Sequence, residues 1–387
     1  MTNRKIMVMT ASRADYSRYR SILFEINKLP NLELQLVVAG AHLLERFGTS
    51  VRDIENDGFE ICEKIFQNLE GENLVTMTKS TGYTVVELAS TIDRLKPDIA
   101  LVMGDRFEAM AFATAAALMN VQIAHIQGGE VTGTIDESLR HAITKLAHFH
   151  FPSTAESAQR IAKMGENPDN IYNVGCPAAD TLLSIDIGTR KSAFESLTPL
   201  IKIKNRLKVE DPYLLVLFHP VTTEYESVEG QIEQILLAVA ETGFQTIMLW
   251  PNLDAGSDSI SIGIRHFLLK NPLRNLFMFK HLSMEIFTKL MAHADCMMGN
   301  SSAGIREACY FGTPVLDIGS RQHGRERSAN VLSVSVVKDP ILEGIKYQIK
   351  HGRYDVDRIY GNGDAGSKIA NAISKIEIKT AQKQIFY

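Results

Sequence analysis

The strongest constraint on the fold of this chain is that short, uninterrupted apolar runs alternate with amphipathic segments along its length. Continuous runs this short are typical of strands buried on both faces of a parallel sheet. The segments between them have helical spacing, so we predict an α/β fold with parallel sheets. The nine predicted strands are Ile6–Thr10, Leu34–Ala39, Ile99–Met103, Val121–Ile126, Tyr213–Phe218, Thr246–Trp250, Leu276–Phe279, Cys296–Met298 and Pro314–Ile318.

A polar stretch with little pattern, Asp186–Asp211, divides this series into two halves, and 387 residues are enough for two domains. Each half carries its own strand–helix series. We therefore predict two doubly wound domains, residues 1–185 and 208–365, that face one another. The segment 366–387 has isoleucines at helical spacing, and we predict a terminal helix that packs back on the first domain.

Composition and charge exclude several classes of function. The formal net charge is −4 and there is no run of Lys or Arg, which argues against a general nucleic-acid binder. The longest uncharged stretch, Ala109–Ile126, contains polar residues and is interpreted as a buried helix and strand, so no membrane association is expected. Four scattered cysteines without a C-x-x-C pair fit a reducing compartment. No targeting segment is recognised, and we expect a cytoplasmic protein.

In the first half, polar residues follow the predicted strands at the edge where open parallel sheets bind ligands. Arg13 and Ser17 come after the first strand and suit an anion at a helix start, although a helix cap with an Arg–Asp pair explains this turn equally well. Asp105 and Arg106 follow another strand. Asp105 is either a helix N-cap or a functional carboxylate presented beside a fixed cation.

The segment HIQGGEVTGTID, residues 125–136, follows the next strand. Its paired glycines would let the backbone approach a ligand closely, and Glu130 and Asp136 follow them. A structural loop does not need both carboxylates, so we predict that at least one is catalytic or binds ligand, although Asp136 also suits a helix N-cap. Three nearby histidines match no zinc motif and are interpreted as structural: His141, His148 and His150.

In the second half, HPVTT (residues 219–223) and PNLDAGS (residues 251–257) each follow a strand, and GSRQHGR (residues 319–325) follows the last strong strand and offers two more cations, Arg321 and Arg325. The most specific signal is GNSSAGIRE, residues 299–307. A strand, a turn of small residues and a helix would aim backbone N–H groups and the hydroxyls of Ser301 and Ser302 at a phosphate. It is not a Walker A loop, because GK[ST] is missing. Glu307 lies more than one helical turn further on, where it could reach a pair of ribose hydroxyls.

The motifs form one ordered set from residue 12 to beyond residue 320: SRADYS, GDRFEA, HIQGGEVTGTID, RHAITKLAH, HPVTT, PNLDAGS, GNSSAGIRE, FGTP and GSRQHGRE, with IYGNG later. Together they resemble the hydrolysing UDP-N-acetylglucosamine 2-epimerases, which act at the start of sialic-acid synthesis. The resemblance implies a glycosyltransferase-B architecture, in which two Rossmann-like domains face a cleft. It also implies self-association, as a homodimer or homotetramer.

The resemblance further implies a reaction without a redox cofactor or a metal. UDP-N-acetylglucosamine loses its C2 proton and UDP leaves C1, which gives a 2-acetamidoglucal. Water then adds with inversion at C2 and N-acetylmannosamine is released. The alternatives are the same reaction on UDP-N,N′-diacetylbacillosamine, a 2,4-diacetamido-2,4,6-trideoxy sugar nucleotide of legionaminic-acid synthesis, and a non-hydrolysing 2-epimerase.

By motif match, the resemblance implies UDP contacts at Arg13, Ser17, Arg106, Asn252, Ser301, Ser302, Glu307 and Arg321. It implies catalytic roles for Asp105, Asp136, Glu130, Gln127 and His219, with the two aspartates predicted to transfer protons. Gln127 stands where the family often has a glutamate proposed for acid/base work, and an amide cannot transfer that proton. Either Gln127 positions substrate while another carboxylate such as Glu130 acts, or the substrate differs.

Overall fold

The chain forms two α/β units in a computed structural model. The structure describes residues 3–44, 50–69, 73–200, 207–221, 224, 227–250, 257–280, 282–378 and 382–386. The first unit comprises Met1–Val131, Ile135–Leu183 and Tyr360–Tyr387, and the second comprises Thr132–Thr134 and Ser184–Ile359. The second unit thus starts at Ser184 instead of residue 208, and the chain returns to the first unit at Tyr360 instead of residue 366.

Six parallel strands form the sheet of the first unit: β1 (Arg4–Thr10), β2 (Leu32–Ala39), β3 (Ile61–Ile65), β4 (Ile99–Met103), β5 (Gln122–Ile126) and β6 (Phe149–Phe151). Their order is β3-β2-β1-β4-β5-β6. The helices that connect them are α1 (Arg13–Lys28), α2 (Val51–Asn56), α3 (Leu74–Leu95), α4 (Phe107–Leu118), α5 (Ile135–Leu146), α6 (Ala155–Lys163) and α7 (Pro177–Ser184).

Both faces of this sheet are buried, as the continuous apolar runs predicted. Successive side chains of a strand point to opposite faces. Ile6 therefore packs into the cluster that contains α1, while its neighbour Met7 packs into the cluster that contains Phe112 of α4. This arrangement buries β4 and β5 along their whole length and β1 from Ile6 to its carboxyl end.

The second unit repeats the architecture with β7 (Tyr213–Leu217), β8 (Gln245–Leu249), β9 (Leu276–Phe279), β10 (Cys296–Gly299), β11 (Val315–Ile318) and β12 (Val331–Val334). All six are parallel, in the order β12-β11-β10-β7-β8-β9. Its helices are α8 (Arg190–Leu197), α9 (Val228–Thr242), α10 (Ser257–Lys270), α11 (Met284–His293), α12 (Ser302–Arg306) and α13 (Lys338–His351).

The last helix, α14 (Ala365–Lys375), belongs to the first unit. Ile369 and Ile373 pack in the same apolar cluster as Ile22 of α1. The carboxylate of Asp180 on α7 accepts the first backbone N–H groups of α14, at 3.0 and 2.6 Å, and so caps that helix from a distant part of the chain. None of the described helices is both long and apolar enough to cross a membrane.

The two sheets share one topology, because each has its first and fourth strands side by side at the centre. Connections leave these two strands toward opposite sides, so a crevice forms at their carboxyl ends, where open α/β sheets bind ligands. The switch point lies between β1 and β4 in the first unit and between β7 and β10 in the second. The α/β prediction with two doubly wound halves is confirmed.

All nine predicted strands are strands in the structure, with ends that differ by a few residues. Three strands were not predicted: β3, β6 and β12. Each lies at the edge of its sheet. The side chains of β3 and β12 are largely half-exposed, and β6 has only three residues, so none of them has the long buried run that marks a central strand.

The second switch point requires glycine at position 299. Gly299 ends β10 with φ 130°, and a Cβ there would lie 1.9 Å from the Leu217 carbonyl oxygen of β7. Only glycine adopts this backbone without strain, and only glycine lets the two central strands approach so closely.

We predict that Gly299→Ala destabilises the second unit by about 3 kcal/mol or more, because strain and a backbone clash add. Gly243→Ala is the matched control: Gly243 also has a positive φ, 67°, but open space around its Cβ position, so about 1 kcal/mol is expected. Urea unfolding of both variants measures the difference. Equal losses would contradict the steric argument.

Candidate active site

Helix α1 starts at the carboxyl end of β1 and carries Arg13 and Ser17 in its first two turns. Its N-cap is Ser12, whose Oγ accepts the Asp15 N–H at 3.3 Å and donates to the Asp15 carboxylate at 2.8 Å. Burial lowers the pKa of Arg13. The hydroxyl of Ser17 donates to a carbonyl one turn earlier, at 2.9 Å, so its oxygen remains usable as an acceptor.

Asp105 is held by an arginine that the sequence did not suggest. Helix α4 has Arg106 as its N-cap residue, so the alternative prediction that Asp105 caps this helix is wrong. The Asp105 carboxylate instead accepts from the guanidinium of Arg140 on α5. Arg140 is fully buried and also donates to the Glu130 carbonyl oxygen at 2.9 Å. A buried charge pair is costly to break, so this pair fixes Asp105 against the loop.

The adjacent Arg106 is engaged locally. Its Nε and terminal nitrogen donate to the two carboxylate oxygens of Glu108, at 3.1 and 3.4 Å. Burial raises the pKa of Glu108, and the attraction of Arg106 opposes that rise. Both residues line a small pocket with Asp15 at the ends of β1 and β4. Arg106 therefore presents less positive charge to a phosphate than the sequence prediction assumed.

Gln127 has its side-chain amide fixed at both ends. Its backbone is left-handed, with φ 62°, and its N–H donates to the Phe151 carbonyl at 2.9 Å. The amide oxygen accepts from Arg18 of α1 at 3.2 Å, and the amide nitrogen donates to the sulfur of Cys176 at 3.1 Å. Gln127 is buried, so this orientation cannot easily change. Neither Arg18 nor Cys176 was among the predicted site residues.

The two glycines after β5 serve protein packing, and their predicted close approach to a ligand stays a prediction. A Cβ at Gly128 would lie 2.8 Å from the ring of His125 and 3.0 Å from the Thr144 hydroxyl. A Cβ at Gly129, which has φ 75°, would lie 2.3 Å from the Ser157 carbonyl oxygen. The glycines thus let the loop pack tightly on α5 and α6.

Two predicted carboxylates, Glu130 and Asp136, lie in and just after this loop. Glu130 is buried, and its backbone carbonyl is held by Arg140. Helix α5 begins at Ile135, so Asp136 lies inside the first turn, and the alternative prediction that it is the N-cap is wrong. A carboxylate there is favoured by the helix dipole. Asp136 is half-buried.

His125 connects the two strand ends next to Asp105. Its Nε2 lies 2.8 Å from the Gly104 carbonyl oxygen, and its Nδ1 lies 3.2 Å from the Thr144 hydroxyl. Burial lowers the pKa of His125 to about 3, so the ring is neutral and Nε2–H is the donor to Gly104. A neutral, buried histidine of this kind positions its neighbours and does not transfer protons near neutral pH.

In the second unit, the Asn300 side chain links the two turns at the switch point by hydrogen bonds. Its amide oxygen accepts the His219 N–H at 2.7 Å, and its amide nitrogen donates to the His219 carbonyl at 2.8 Å. This reciprocal pair fixes the turn after β7 to the turn after β10. His219 is thereby placed beside the serines that follow Asn300. The predicted residue Asn252 lies outside the described residues.

The serine turn has the predicted order of strand, turn and helix, but its helix is short. Ser301 is the N-cap of α12, and its Oγ accepts the Ala303 N–H at 3.4 Å. Ser302 is the first of only five helical residues, and Glu307 is the residue at which α12 ends. Arg321 reaches this turn, because its guanidinium donates to the Asn300 carbonyl at 3.0 Å.

The predicted residues follow the carboxyl ends of strands in both units, and they form one set in each unit. The first set contains Arg13, Ser17, Asp105, Arg106, Gln127, Glu130 and Asp136. The second contains His219, Ser301, Ser302, Glu307 and Arg321. Arg140 was missed, although one signal was available: it shares a helical face with Ile143 and Thr144, both of which are buried.

The three histidines interpreted as structural have partners in the protein. The ring of His148 accepts the Ile123 N–H at 3.1 Å, His150 lies 3.1 Å from the Glu166 carboxylate, and His141 lies 3.8 Å from Glu137. Among the described residues, no three His, Cys, Asp or Glu side chains are grouped so that they could hold a metal ion.

Comparison of the sequence with known proteins identifies the family of this chain. A sequence model described as UDP-N-acetylglucosamine 2-epimerase matches residues 24–374. The chain belongs to the UDP-N-acetylglucosamine 2-epimerase family. It is 34% identical over 378 residues to the UDP-N,N′-diacetylbacillosamine 2-epimerase (hydrolyzing) of Legionella pneumophila, with 97% of each chain covered. It is 31% identical to a UDP-N-acetylglucosamine 2-epimerase of Neisseria meningitidis, covering 93% of this chain and 92% of that one.

Solved structures of the family share the fold. The UDP-N-acetylglucosamine 2-epimerase of Methanocaldococcus jannaschii, in complex with UDP-GlcNAc and UDP, superposes with a TM-score of 0.80 at 16% identity, over 96% of this chain and 99% of that one. The Neisseria meningitidis enzyme bound to UDP-GlcNAc gives a TM-score of 0.78 at 18% identity, over 96% and 100%. These likenesses establish the glycosyltransferase-B-like α/β architecture.

We predict that the His125 imidazole stays neutral between pH 5 and 8, because its pKa is lowered from 6.5 to about 3. The unfolded chain binds a proton there below pH 6.5, so this residue lowers stability by about 1.4 kcal/mol per pH unit as the pH falls from 6.5 toward 3. NMR of ¹⁵N-histidine-labelled protein measures the titration. A midpoint near 6.5 would contradict the buried pair with Gly104.

Proposed function

We propose that this chain is a hydrolysing 2-epimerase that converts UDP-N-acetylglucosamine and water into N-acetylmannosamine and UDP. One observation carries the proposal. A carboxylate held by a buried guanidinium lies at the switch point of the first unit, and a serine turn with an arginine lies at that of the second. Elimination of UDP needs both a base for carbon and donors for the departing diphosphate. The Legionella pneumophila relative, a UDP-N,N′-diacetylbacillosamine 2-epimerase (hydrolyzing), supports the hydrolysing type.

In the proposed reaction, the first unit handles the proton on C2. Asp105 takes that proton as UDP leaves C1, and the product is 2-acetamidoglucal. Its pair with Arg140 holds Asp105 in one orientation. Asp136 and Glu130 are the proposed carboxylates for the second half of the reaction. There, water adds to C1 and a proton adds to the opposite face of C2.

The second unit binds UDP in this proposal. Ser301 and Ser302 offer hydroxyls to the diphosphate, and Arg321, fixed on the same turn through Asn300, offers a guanidinium. Glu307 at the end of α12 is the proposed acceptor for the ribose hydroxyls. The remaining proposed nucleotide contacts are His219, Asn252, Arg13, Ser17 and Arg106. Arg106 contributes least, because it shares its charge with Glu108.

UDP-N,N′-diacetylbacillosamine is the second candidate substrate, and two observations favour it. The Legionella pneumophila relative with 34% identity has that sugar nucleotide in its name. In addition, Gln127 is locked by Arg18 and Cys176 as a neutral group. A site with a fixed amide in place of a carboxylate is specialised for hydrogen bonding instead of proton transfer.

We predict that wild-type protein in heavy water converts one of these sugar nucleotides to free sugar with deuterium at C2, together with UDP. Asp105→Asn should fold and bind UDP but lose turnover by about 10²-fold or more, the scale of general-base loss. NMR of the released sugar and a coupled assay for UDP measure both. The substrate that is turned over faster identifies the sugar.

The control for this experiment is Asp93→Asn, since Asp93 is an exposed aspartate of α3. Three results would contradict the proposal. A 2-epimer that remains attached to UDP indicates a non-hydrolysing enzyme, and product that keeps protium at C2 indicates a different reaction class such as glycosyl transfer. Asp105→Asn with turnover within a few-fold of wild type removes Asp105 as the base.

Ser302→Ala should weaken UDP binding by about 1–3 kcal/mol, the range for a hydrogen bond to a charged group. Isothermal titration calorimetry with UDP measures this change without turnover. The matched control is Ser335→Ala, an exposed serine of the same unit. If UDP affinity is the same in both variants, the diphosphate does not bind at the serine turn.

A further inference from the structure

A buried group of charged side chains lies in the first unit, and the proposed chemistry does not use it. At its centre is Glu166, which has only 2% of its side chain exposed. Its carboxylate oxygens accept from Lys145 at 2.6 Å, from His150 at 3.1 Å and from Lys383 at 2.5 Å. Burial alone would raise the pKa of Glu166, but these three donors outweigh burial and lower it to about 2. Glu166 is therefore ionised at neutral pH.

Lys383 comes from the C-terminal segment and also binds the end of a helix. Its ammonium group donates to the backbone carbonyls of Thr144, Lys145 and Ala147, at 3.3, 2.8 and 2.7 Å. These carbonyls lie at the carboxyl end of α5, where backbone acceptors have no partner within the helix and where the helix dipole favours a cation. Lys383 thus caps α5 and neutralises Glu166 at the same time.

The C-terminal segment is seated on this site by its backbone as well. The Phe386 N–H donates to the Gly165 carbonyl at 3.0 Å, next to Glu166. A Cβ at Gly165 would lie 3.2 Å from the Ile385 side chain, so the segment packs closely against this turn. Residues 382–386 therefore occupy a defined place on the first unit.

The capped helix is the one that holds Asp105. Arg140, one turn before Thr144, donates to the Asp105 carboxylate. The hydroxyl of Thr144 lies 3.0 Å from the Arg140 carbonyl and 3.2 Å from the ring of His125, and that ring binds the carbonyl of Gly104. Lys383 is therefore joined to Arg140 through the last turns of α5, where the single proton of the Thr144 hydroxyl is donated either to the Arg140 carbonyl or to Nδ1 of His125.

We propose that Lys383 is a positioning residue of the active site, which fixes the carboxyl end of α5 so that Arg140 holds Asp105 in its productive orientation. The Lys383 side chain is only 20% exposed, and removing an ammonium group from water costs free energy that an apolar side chain in the same space would not. The lysine is explained if the end of α5 must be held by directed bonds. The inference rests on the proposed function, because it takes Asp105 as the base.

The test compares Lys383→Met, which keeps the length of the side chain and removes its charge, with Lys383→Arg. Lys375→Met, an exposed lysine of α14, is the control. We expect Lys383→Met to lower kcat by about 10- to 100-fold, since small displacements of catalytic groups have effects of this size. The affinity for UDP, which the second unit binds in our proposal, should be unchanged. Lys383→Arg should restore most of kcat, because a guanidinium can also donate to a carboxylate and to helix-end carbonyls.

A double-mutant cycle with Asp105→Asn separates positioning from a general loss of stability. If Lys383 acts through Asp105, adding Lys383→Met to Asp105→Asn causes little further loss of kcat. Additive losses would overturn the proposal. All assays are run well below the thermal unfolding midpoint of each variant. If Lys383→Met does not fold, Lys383→Gln, which also removes the charge, takes its place in the cycle, and an unchanged kcat in that variant overturns the proposal as well.

The same set of variants distinguishes this inference from the proposed function. Normal turnover in Asp105→Asn contradicts the function that we assign to that carboxylate. Loss of turnover in Asp105→Asn together with normal kcat in Lys383→Met contradicts only the positioning role of Lys383.

Discussion

The first unit depends on one buried interaction, the guanidinium of Arg140 between the Asp105 carboxylate and the Glu130 backbone. It joins three segments: the end of β4, the loop after β5, and α5. A charge with no exposed surface is stable only while its partners stay in place, so the pair imposes one arrangement on all three segments. The candidate base is therefore positioned by the domain core and not by its own loop.

In the second unit, the two central strand ends are held together by hydrogen bonds between uncharged groups. Gly299 lets β10 approach β7 closely enough for Asn300 to exchange two hydrogen bonds with the His219 backbone. Arg321 then binds the Asn300 carbonyl, so the cation and the serine turn move together. A preorganised set of donors is what a departing diphosphate requires, since the donors need not reorganise as charge develops. The two units thus share one topology, but in our proposal the first positions a carboxylate base and the second positions donors for a diphosphate.

Gln127 shows how one residue type changes the character of a site. A carboxylate at this position would face the guanidinium of Arg18, whereas the amide accepts from Arg18 and also donates to the sulfur of Cys176. Both the oxygen and the nitrogen of the amide form hydrogen bonds with neighbouring side chains. The surroundings of residue 127 therefore fit a glutamine, because a carboxylate could not donate to the sulfur of Cys176. Proton transfer in this chain therefore falls to Asp105, Asp136 or Glu130 in our proposal.

The sequence alone determined the α/β class, the two halves and the central strands, because buried parallel strands have continuous apolar runs that need no tertiary information to recognise. It also placed the polar site residues at strand ends, since parallel strands bring those ends to one edge. The edge strands β3, β6 and β12, the partners of Asp105 and Gln127, and the contact of Lys383 with α5 were decided only by the tertiary structure. Each of them depends on contacts between residues that are not neighbours in sequence, from 35 residues apart for Asp105 and Arg140 to 239 for Lys383 and Thr144, and local spacing carries no record of such partners.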